Sequence, residues 1–211
     1  MRLGTSASRF ARDDGPVGRD LRAIDSELAY HVTCRGSNRQ RIVVDTDDCE
    51  TFCRQLDYAA SKFAWEVFAW CLMPNHHHVV LRAEQTAFSA GFQQLNGNYS
   101  RITNLRHGRC DHLFRNRPRA LELAGEAHLI AAIAYTVRNP VEAGLVGHAA
   151  AWPWSSYRAT VGLARAPRWL AVDFVLELFG RTREGAVTAF EELVHRGHLP
   201  VSETIEQPPA L

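Results

Sequence analysis

The spacing of apolar positions changes several times along the chain, and each change predicts a new structural element. Residues 27–35 alternate between apolar and polar side chains, which is typical of a half-buried strand. From Asp45 to Phe63 the apolar residues fall on one helical face. A second amphipathic helix is predicted from Thr86 to about Leu105. Its apolar stripe has spacings of three and four residues and consists of Phe88, Phe92, Leu95, Tyr99 and Ile102.

A hairpin is predicted between these two helices. Two apolar segments, residues 67–72 and 76–81, are joined by the turn-forming pair Pro74-Asn75. After the second helix, residues 108–119 lose the helical pattern and are predicted to be extended. The order is therefore strand, helix, strand, strand, helix, extended segment. It predicts an α+β fold with a ferredoxin-like antiparallel sheet and helices packed on one face.

The rest of the chain is predicted to be helical or flexible. A third helix is predicted over residues 124–138 and is expected to stop before Asn139-Pro140, and two shorter helices are expected at 170–180 and 183–196. These elements divide the chain into three parts. The parts are a polar, flexible N-terminal arm (1–20), a main domain (21–160), and a C-terminal helical extension with a polar tail (161–211).

The composition indicates the cellular compartment of the protein and shows one local cluster of basic residues. The chain has 211 residues, a net charge of +1 and five cysteines without a paired pattern. Without a signal peptide or an apolar run of membrane length, we expect a cytoplasmic protein with reduced thiols and no membrane partner. Six arginines lie between Arg101 and Arg119, with Asp111 as the only acid. Arginine suits bidentate contact with phosphate, although a solvated surface is the alternative.

The sequence His76-His77-His78 opens the second strand of the hairpin. Alternate strand residues point to the same face, so His76 and His78 should face one way and His77 the other. Two imidazoles on one face can bind a divalent metal. A packed or surface histidine cluster is the alternative. Tyr99 presents a similar choice, because a tyrosine on an apolar stripe is usually a core residue.

Seven segments of this chain together resemble the REP-associated tyrosine transposases, which belong to the single-tyrosine HUH nucleases. That name refers to a His-hydrophobic-His pair. The matching segments occur in the family's order between about residues 20 and 160. They are Tyr30–Gly36, Met73–His78, Leu95–Tyr99, Arg106–Arg109, His112–Phe114, Arg138–Val146 and Trp152–Tyr157.

The resemblance implies an enzyme that cleaves and rejoins hairpin-forming single-stranded DNA through a 5′-phosphotyrosine intermediate during DNA transposition. It implies Tyr99 as the nucleophile and His76 and His78 as ligands of Mg²⁺ or Mn²⁺. Tyr30, Tyr58, Tyr135 and Tyr157 are rival nucleophiles if the assignment of the second helix is wrong. A monomer is favoured, with a homodimer as the alternative. A non-catalytic hairpin-binding protein derived from such a transposase is the alternative function.

Two features depart from the family pattern. His77 replaces the usual apolar residue between the two ligands. A third ligand is expected on the tyrosine helix, and its candidates here are Asn104, Thr103 and Asn96. DNA phosphates are expected to contact basic residues of the loop after the first strand and of the arginine cluster. These residues are Arg35, Arg39, Arg106, Arg109, Arg115, Arg117 and Arg119.

Overall fold

The structure is a computed structural model that describes residues 28–115 and 117–197. The proposed flexible arm, residues 1–20, lies outside the described residues. The elements in chain order are β1 (Ala29–Arg35), α1 (Thr46–Lys62), β2 (Glu66–Met73), β3 (His76–Arg82), α2 (Gln85–His107), β4 (Arg119–Leu123), α3 (Glu126–Glu142), α4 (Tyr157–Thr160), α5 (Val172–Glu177) and α6 (Arg183–Arg196), with short 3₁₀ turns at Ser37–Arg39 and Ala149–Ala151. No helix in the described ranges is long and apolar enough to cross a membrane.

The four strands form one antiparallel sheet in the order β2-β3-β1-β4. With α1 between β1 and β2, and α2 between β3 and β4, this is the ferredoxin-like arrangement, and the predicted α+β fold is confirmed. The final strand begins further along the chain than the extended segment predicted over residues 108–119. The described residues between 108 and 118 are mainly loop, and β4 begins only at Arg119.

Helices cover both faces of the sheet. On the first face, α1 and α2 pack against Val32, Val79 and Leu81 and add Phe52 and Leu95 to the core. The second face is covered by α3 together with α5 and α6. There Phe68 and Val80 of the sheet pack with Ile133, Val137 and Phe190. The one-face prediction therefore holds for α1 and α2 only. Strand β3 is buried on both sides, and its apolar residues Val79, Val80 and Leu81 are consecutive and do not alternate with polar ones, so its pattern does not show which layer covers which face.

The third helix differs most from its prediction. It does not stop before Asn139-Pro140 but continues to Glu142, and the Ala143 N–H bonds to the carbonyl of Asn139. Pro140 lies in the last turn, where losing one N–H donor interrupts little of the helical ladder. As a result, Asn139 is a helical residue and projects from the same side of α3 as Tyr135, four positions earlier.

Strand register determines which side chains share a face. His78 pairs with Thr33 of β1 and Cys71 of β2, and His76 pairs with Arg35. Directly opposed residues of antiparallel strands project to the same side of the sheet. The face covered by α3 therefore includes Arg35, Thr33, His76 and His78.

Candidate active site

The three consecutive histidines separate between the two faces, as strand alternation predicts. The His77 ring lies on the α1 and α2 face, 4.8 Å from the ring of Phe52 between centroids. Its Nε2 donates to Oδ1 of Asn96 at 2.9 Å. The rings of His76 and His78 lie on the opposite face, with centroids 4.7 Å apart. The structure thus brings His76 and His78 together under α3.

Both histidines of this pair have one nitrogen bonded and one unpartnered. Nδ1 of His76 donates to Oδ1 of Asn75 at 2.6 Å, and Nδ1 of His78 lies 2.8 Å from Nε2 of His31 and 3.2 Å from Oγ1 of Thr33. The Nε2 atoms of His76 and His78 are buried and have no hydrogen-bond partner. Metal-binding histidines typically use one nitrogen for the metal and bond the other to a neighbour. The pair therefore fits a divalent cation.

Burial keeps these imidazoles neutral. It lowers the pKa of His76 to about 3, with Arg35 and His77 adding to the effect and the side chain of Asn139 opposing it. Burial likewise holds the pKa of His78 well below its usual value, and the neighbouring His76 and His31 lower it further. A neutral imidazole offers the lone pair that metal binding needs.

Helix α3 supplies two further polar side chains. The half-buried Tyr135 ring lies edge-on to His78 and His31, with centroids 5.8 Å from each. Asn139 is 5% exposed, and its Nδ2 donates to the carbonyl of Tyr135 at 2.8 Å. Its side chain also interacts with His76 and with Tyr135. A tyrosine and an amide therefore lie beside the histidine pair.

Burial raises the pKa of Tyr135, while a hydrogen bond from Asn139 and the positive charge of Arg35 act to lower it. Arg35 is half-buried and shares the sheet face of its register partner His76. The same neighbours that surround the phenol therefore favour its ionised form against the effect of burial.

Sequence reasoning named Tyr135 only as a rival nucleophile and missed Asn139. The i, i+4 spacing of these two residues was visible, but the expected helix end before Asn139 removed it from consideration.

The structure does not bring Tyr99 to the histidine pair. Tyr99 is on α2, which covers the other face of the sheet, and it is fully buried. Its hydroxyl donates to the carbonyl of Ile42 at 2.5 Å, and its ring packs edge-on against Phe52. Burial raises its pKa above the ordinary tyrosine value. In this environment Tyr99 is a core residue, so its predicted position over the metal pair is corrected.

The three predicted third ligands are also on α2, away from the pair. Asn96 bonds to His77 and donates to Sγ of Cys34 at 3.2 Å. Thr103 is fully buried on the same helix as Tyr99, and its hydroxyl oxygen has no hydrogen-bond partner within the described part of the chain. Asn104 donates to the carbonyl of Asp111 at 2.8 Å. All three face the first side of the sheet or its loops, whereas Asn139 of α3 lies on the same side as the histidine pair and interacts with His76.

Arg106 and Arg109, which were predicted to bind DNA, contact other parts of the protein. Arg106 bridges three carboxylates at the start of α1, and His107 donates to one of them, the fully buried Asp48. Ligand atoms of Asp45, Asp48 and His107 lie within 4.8 Å of one another, a geometry compatible with a cation, but the Arg106 guanidinium already bonds to both carboxylates. Arg109 donates to the carbonyl of Arg41. These contacts join α2 to the loop after β1.

The other arginines line one end of the sheet. Arg39, Arg115, Arg117 and Arg119 are exposed, and Arg35 is half-buried beside His76. The loop carrying Arg39 is held against the loop carrying Arg115 by backbone hydrogen bonds, among them Ser37 N to Leu113 O and Arg115 N to Arg35 O. Arg119 pairs with Thr33 and so lies on the His78 side of the sheet. A basic surface therefore borders the histidine pair.

Fold and site together define a class of protein in which a ferredoxin-like sheet groups two histidines, a tyrosine and an amide on one face. Residues 25–119 match the model of the IS200-like transposase family. This segment is similar to that family, and the resemblance stated from the sequence is confirmed.

A solved structure shares the fold. A REP-associated tyrosine transposase bound to a REP hairpin matches with a TM-score of 0.57 and 17% sequence identity, covering 67% of this chain and 83% of that one. A weaker similarity, which carries no functional argument, is to tRNA(His) guanylyltransferase from Saccharomyces cerevisiae. Its TM-score is 0.44 and its identity 10%, over 90% of this chain and 83% of that one. No curated protein sequence matches this chain.

Proposed function

We propose that this chain is a metal-dependent transposase-like nuclease that cleaves and rejoins hairpin-forming single-stranded DNA, with Tyr135 as the nucleophile. The observation that carries the proposal is the grouping of Tyr135 and Asn139 with His76 and His78 on one sheet face. The similarity of residues 25–119 to IS200-like transposases supports a DNA substrate, and the similar transposase structure bound to a REP hairpin supports a hairpin. Tyr135 replaces the original candidate, Tyr99, because only Tyr135 is close to the histidine pair.

The proposed metal ligands are Nε2 of His76, Nε2 of His78 and the amide oxygen of Asn139. Two of these atoms are buried nitrogens without partners, and Asn139 interacts with His76. A divalent cation such as Mg²⁺ or Mn²⁺ held by these ligands supplies Lewis-acid polarisation of the scissile phosphate. The amide oxygen is a ligand type that suits Mg²⁺ and Mn²⁺, and the imidazole nitrogens are a ligand type that suits transition metals.

The protein's own side chains have distinct roles in the reaction. The Oη atom of Tyr135 loses its proton and attacks phosphorus, and the bond from phosphorus to the 3′ oxygen breaks. The 3′ oxygen leaves as a hydroxyl, and the 5′ phosphate stays linked to Tyr135. Arg35 stabilises both the ionised phenol and the charge on the phosphate. Attack by a 3′ hydroxyl reverses the sequence, and because one phosphodiester replaces another, rejoining needs no nucleotide cofactor.

The basic surface beside the site is the proposed path of the DNA backbone. Arg39, Arg115, Arg117 and Arg119 are exposed at the end of the sheet that carries His76. Guanidinium groups contact phosphate without regard to base sequence, so these residues would hold the strand and not select it. We propose a structural role for Arg106 and Arg109 and not a DNA-binding one, because their guanidinium groups bind carboxylates and a carbonyl of this chain.

Adduct formation tests the proposal. Purified protein would be incubated with an end-labelled single-stranded hairpin oligonucleotide taken from beside its own gene, with Mg²⁺ or Mn²⁺. The expected product is a protein–DNA adduct that survives denaturation and maps to Tyr135. The matched control is an oligonucleotide of the same composition with the stem scrambled, which should give no adduct. Tight hairpin binding without any adduct would instead identify a non-catalytic DNA-binding protein.

A further inference from the structure

A buried histidine on the central strand contacts both the proposed metal pair and the proposed nucleophile. His31 is 4% exposed, and its ring lies nearly parallel to that of His78, with centroids 5.0 Å apart. Nε2 of His31 is 2.8 Å from Nδ1 of His78. The His31 ring also packs against Tyr135. His31 therefore sits behind the site, on the side away from the unpartnered Nε2 of His78.

The short distance between the two nitrogens has a chemical consequence, because a single proton lies between them. If His31 donates, Nδ1 of His78 is the acceptor and Nε2 of His78 must carry the ring proton. That proton would block metal binding and would be buried without an acceptor. If His78 donates, its Nε2 presents a lone pair to the site.

We propose that His31 is a positioning residue that accepts the Nδ1 proton of His78 and so fixes His78 in the tautomer that binds the metal. This inference rests on the proposed function, since it concerns the ligand set of that site. The His31 ring therefore bonds to the ligand His78 and also packs against the proposed nucleophile, Tyr135. His76 has a simpler arrangement, in which Oδ1 of Asn75 can only accept.

Thr33 is a second neighbour of the same nitrogen, at 3.2 Å from its Oγ1. Its distance is longer, and its hydroxyl can rotate to donate as well as accept. Thr33 therefore leaves the tautomer undetermined when His31 is absent. This gives the experiment its matched variants. His31→Phe removes the acceptor and keeps an aromatic ring, whereas His31→Gln restores an acceptor at similar reach.

The first measurement is Mn²⁺ affinity of the DNA-free protein, titrated by electron paramagnetic resonance of the free ion. We expect His31→Phe to weaken binding by about 10- to 100-fold, the range for loss of a residue that orients a metal ligand. His31→Gln should recover most of the affinity, and Thr33→Val should change it by less than about threefold. Equal affinity of His31→Phe and wild type would overturn the inference.

The second measurement does not depend on the folding of any His31 variant. Long-range ¹⁵N–¹H correlation spectra of the Mg²⁺-loaded wild-type protein report which nitrogen of each histidine carries the proton, and loss of a signal in His78→Gln assigns His78. A proton on Nδ1 is expected, and a proton on Nε2 would overturn the inference. The double variant His76→Ala, His78→Ala tests the proposed metal site itself. If it binds Mn²⁺ as tightly as the wild type does, the proposed metal site is wrong. That outcome is distinct from a failure confined to His31.

Discussion

A pair of matched substitutions, Tyr135→Phe and Tyr99→Phe, separates the two tyrosines that sequence and structure nominate. Each change removes one hydroxyl oxygen and keeps the ring. Tyr135 is half-buried beside His78, whereas Tyr99 is fully buried on the opposite face of the sheet. The same chemical change should therefore abolish the reaction at one position and weaken the fold at the other.

The stability effects follow from the hydrogen bonds. The Tyr99 hydroxyl donates to the carbonyl of Ile42, and removing it leaves that carbonyl without this donor. An unmade bond of this kind costs about 1–3 kcal/mol. For a chain of this length each kcal/mol lowers Tm by about 2–4 °C, so Tyr99→Phe should lower Tm by roughly 2–12 °C. Tyr135→Phe changes a half-buried group and should alter stability by less than about 1 kcal/mol.

The assay combines adduct formation with thermal unfolding. Each variant would be incubated with labelled hairpin DNA and Mn²⁺, separated under denaturing conditions, and melted separately without DNA. Tyr135→Phe should form no adduct at any metal concentration, because no other oxygen replaces the nucleophile. Tyr99→Phe should form adduct at the wild-type rate below its lowered Tm.

The opposite pattern would refute this assignment. An adduct formed by Tyr135→Phe and mapped to Tyr99 would mean that α2 leaves the first face of the sheet during the reaction. Loss of adduct in both variants, with both proteins folded, would show that the Tyr99 hydroxyl supports the active site through the Ile42 segment.

Three further predictions concern the metal, the DNA and the fold. His76→Ala should abolish cleavage and lower Mn²⁺ affinity with little change in hairpin binding, and full cleavage without added metal would contradict it. Replacing Arg115 and Arg117 by Gln should reduce the slope of log affinity against log salt by roughly 1.4 if both contact single-stranded phosphates, whereas an unchanged slope would make them solvated surface. Asp48→Ala should lower the free energy of unfolding by about 1–3 kcal/mol in urea titrations, because it removes a fully buried carboxylate that accepts from the Val44 N–H and bonds to Arg106 and His107. A loss under about 1 kcal/mol would contradict this account of the α1–α2 contact.

The sequence by itself determined the order of the elements and the division of the histidines. Alternation in residues 27–35 and the turn at Pro74-Asn75 place β1, β2 and β3, and the helical stripe places α2. The two-residue period of a strand also separates His77 from its neighbours whatever the rest of the fold does. These features are local, and a strand or helix imposes them within a few residues.

Only the tertiary structure decided which tyrosine meets the histidine pair. Amphipathicity shows that α2 buries the stripe containing Tyr99, but it does not show which face of the sheet that stripe covers. Both faces of β3 are buried, so the apolar pattern of the strand gives no indication either. The tyrosine that meets the histidine pair, Tyr135, is on α3, more than fifty residues later in the chain. Asn139 was missed because Pro140 predicted a helix end before it, whereas the last turn of α3 accommodates this proline. Strand pairing and helix packing bring together residues that are distant in sequence, and no local period records that proximity.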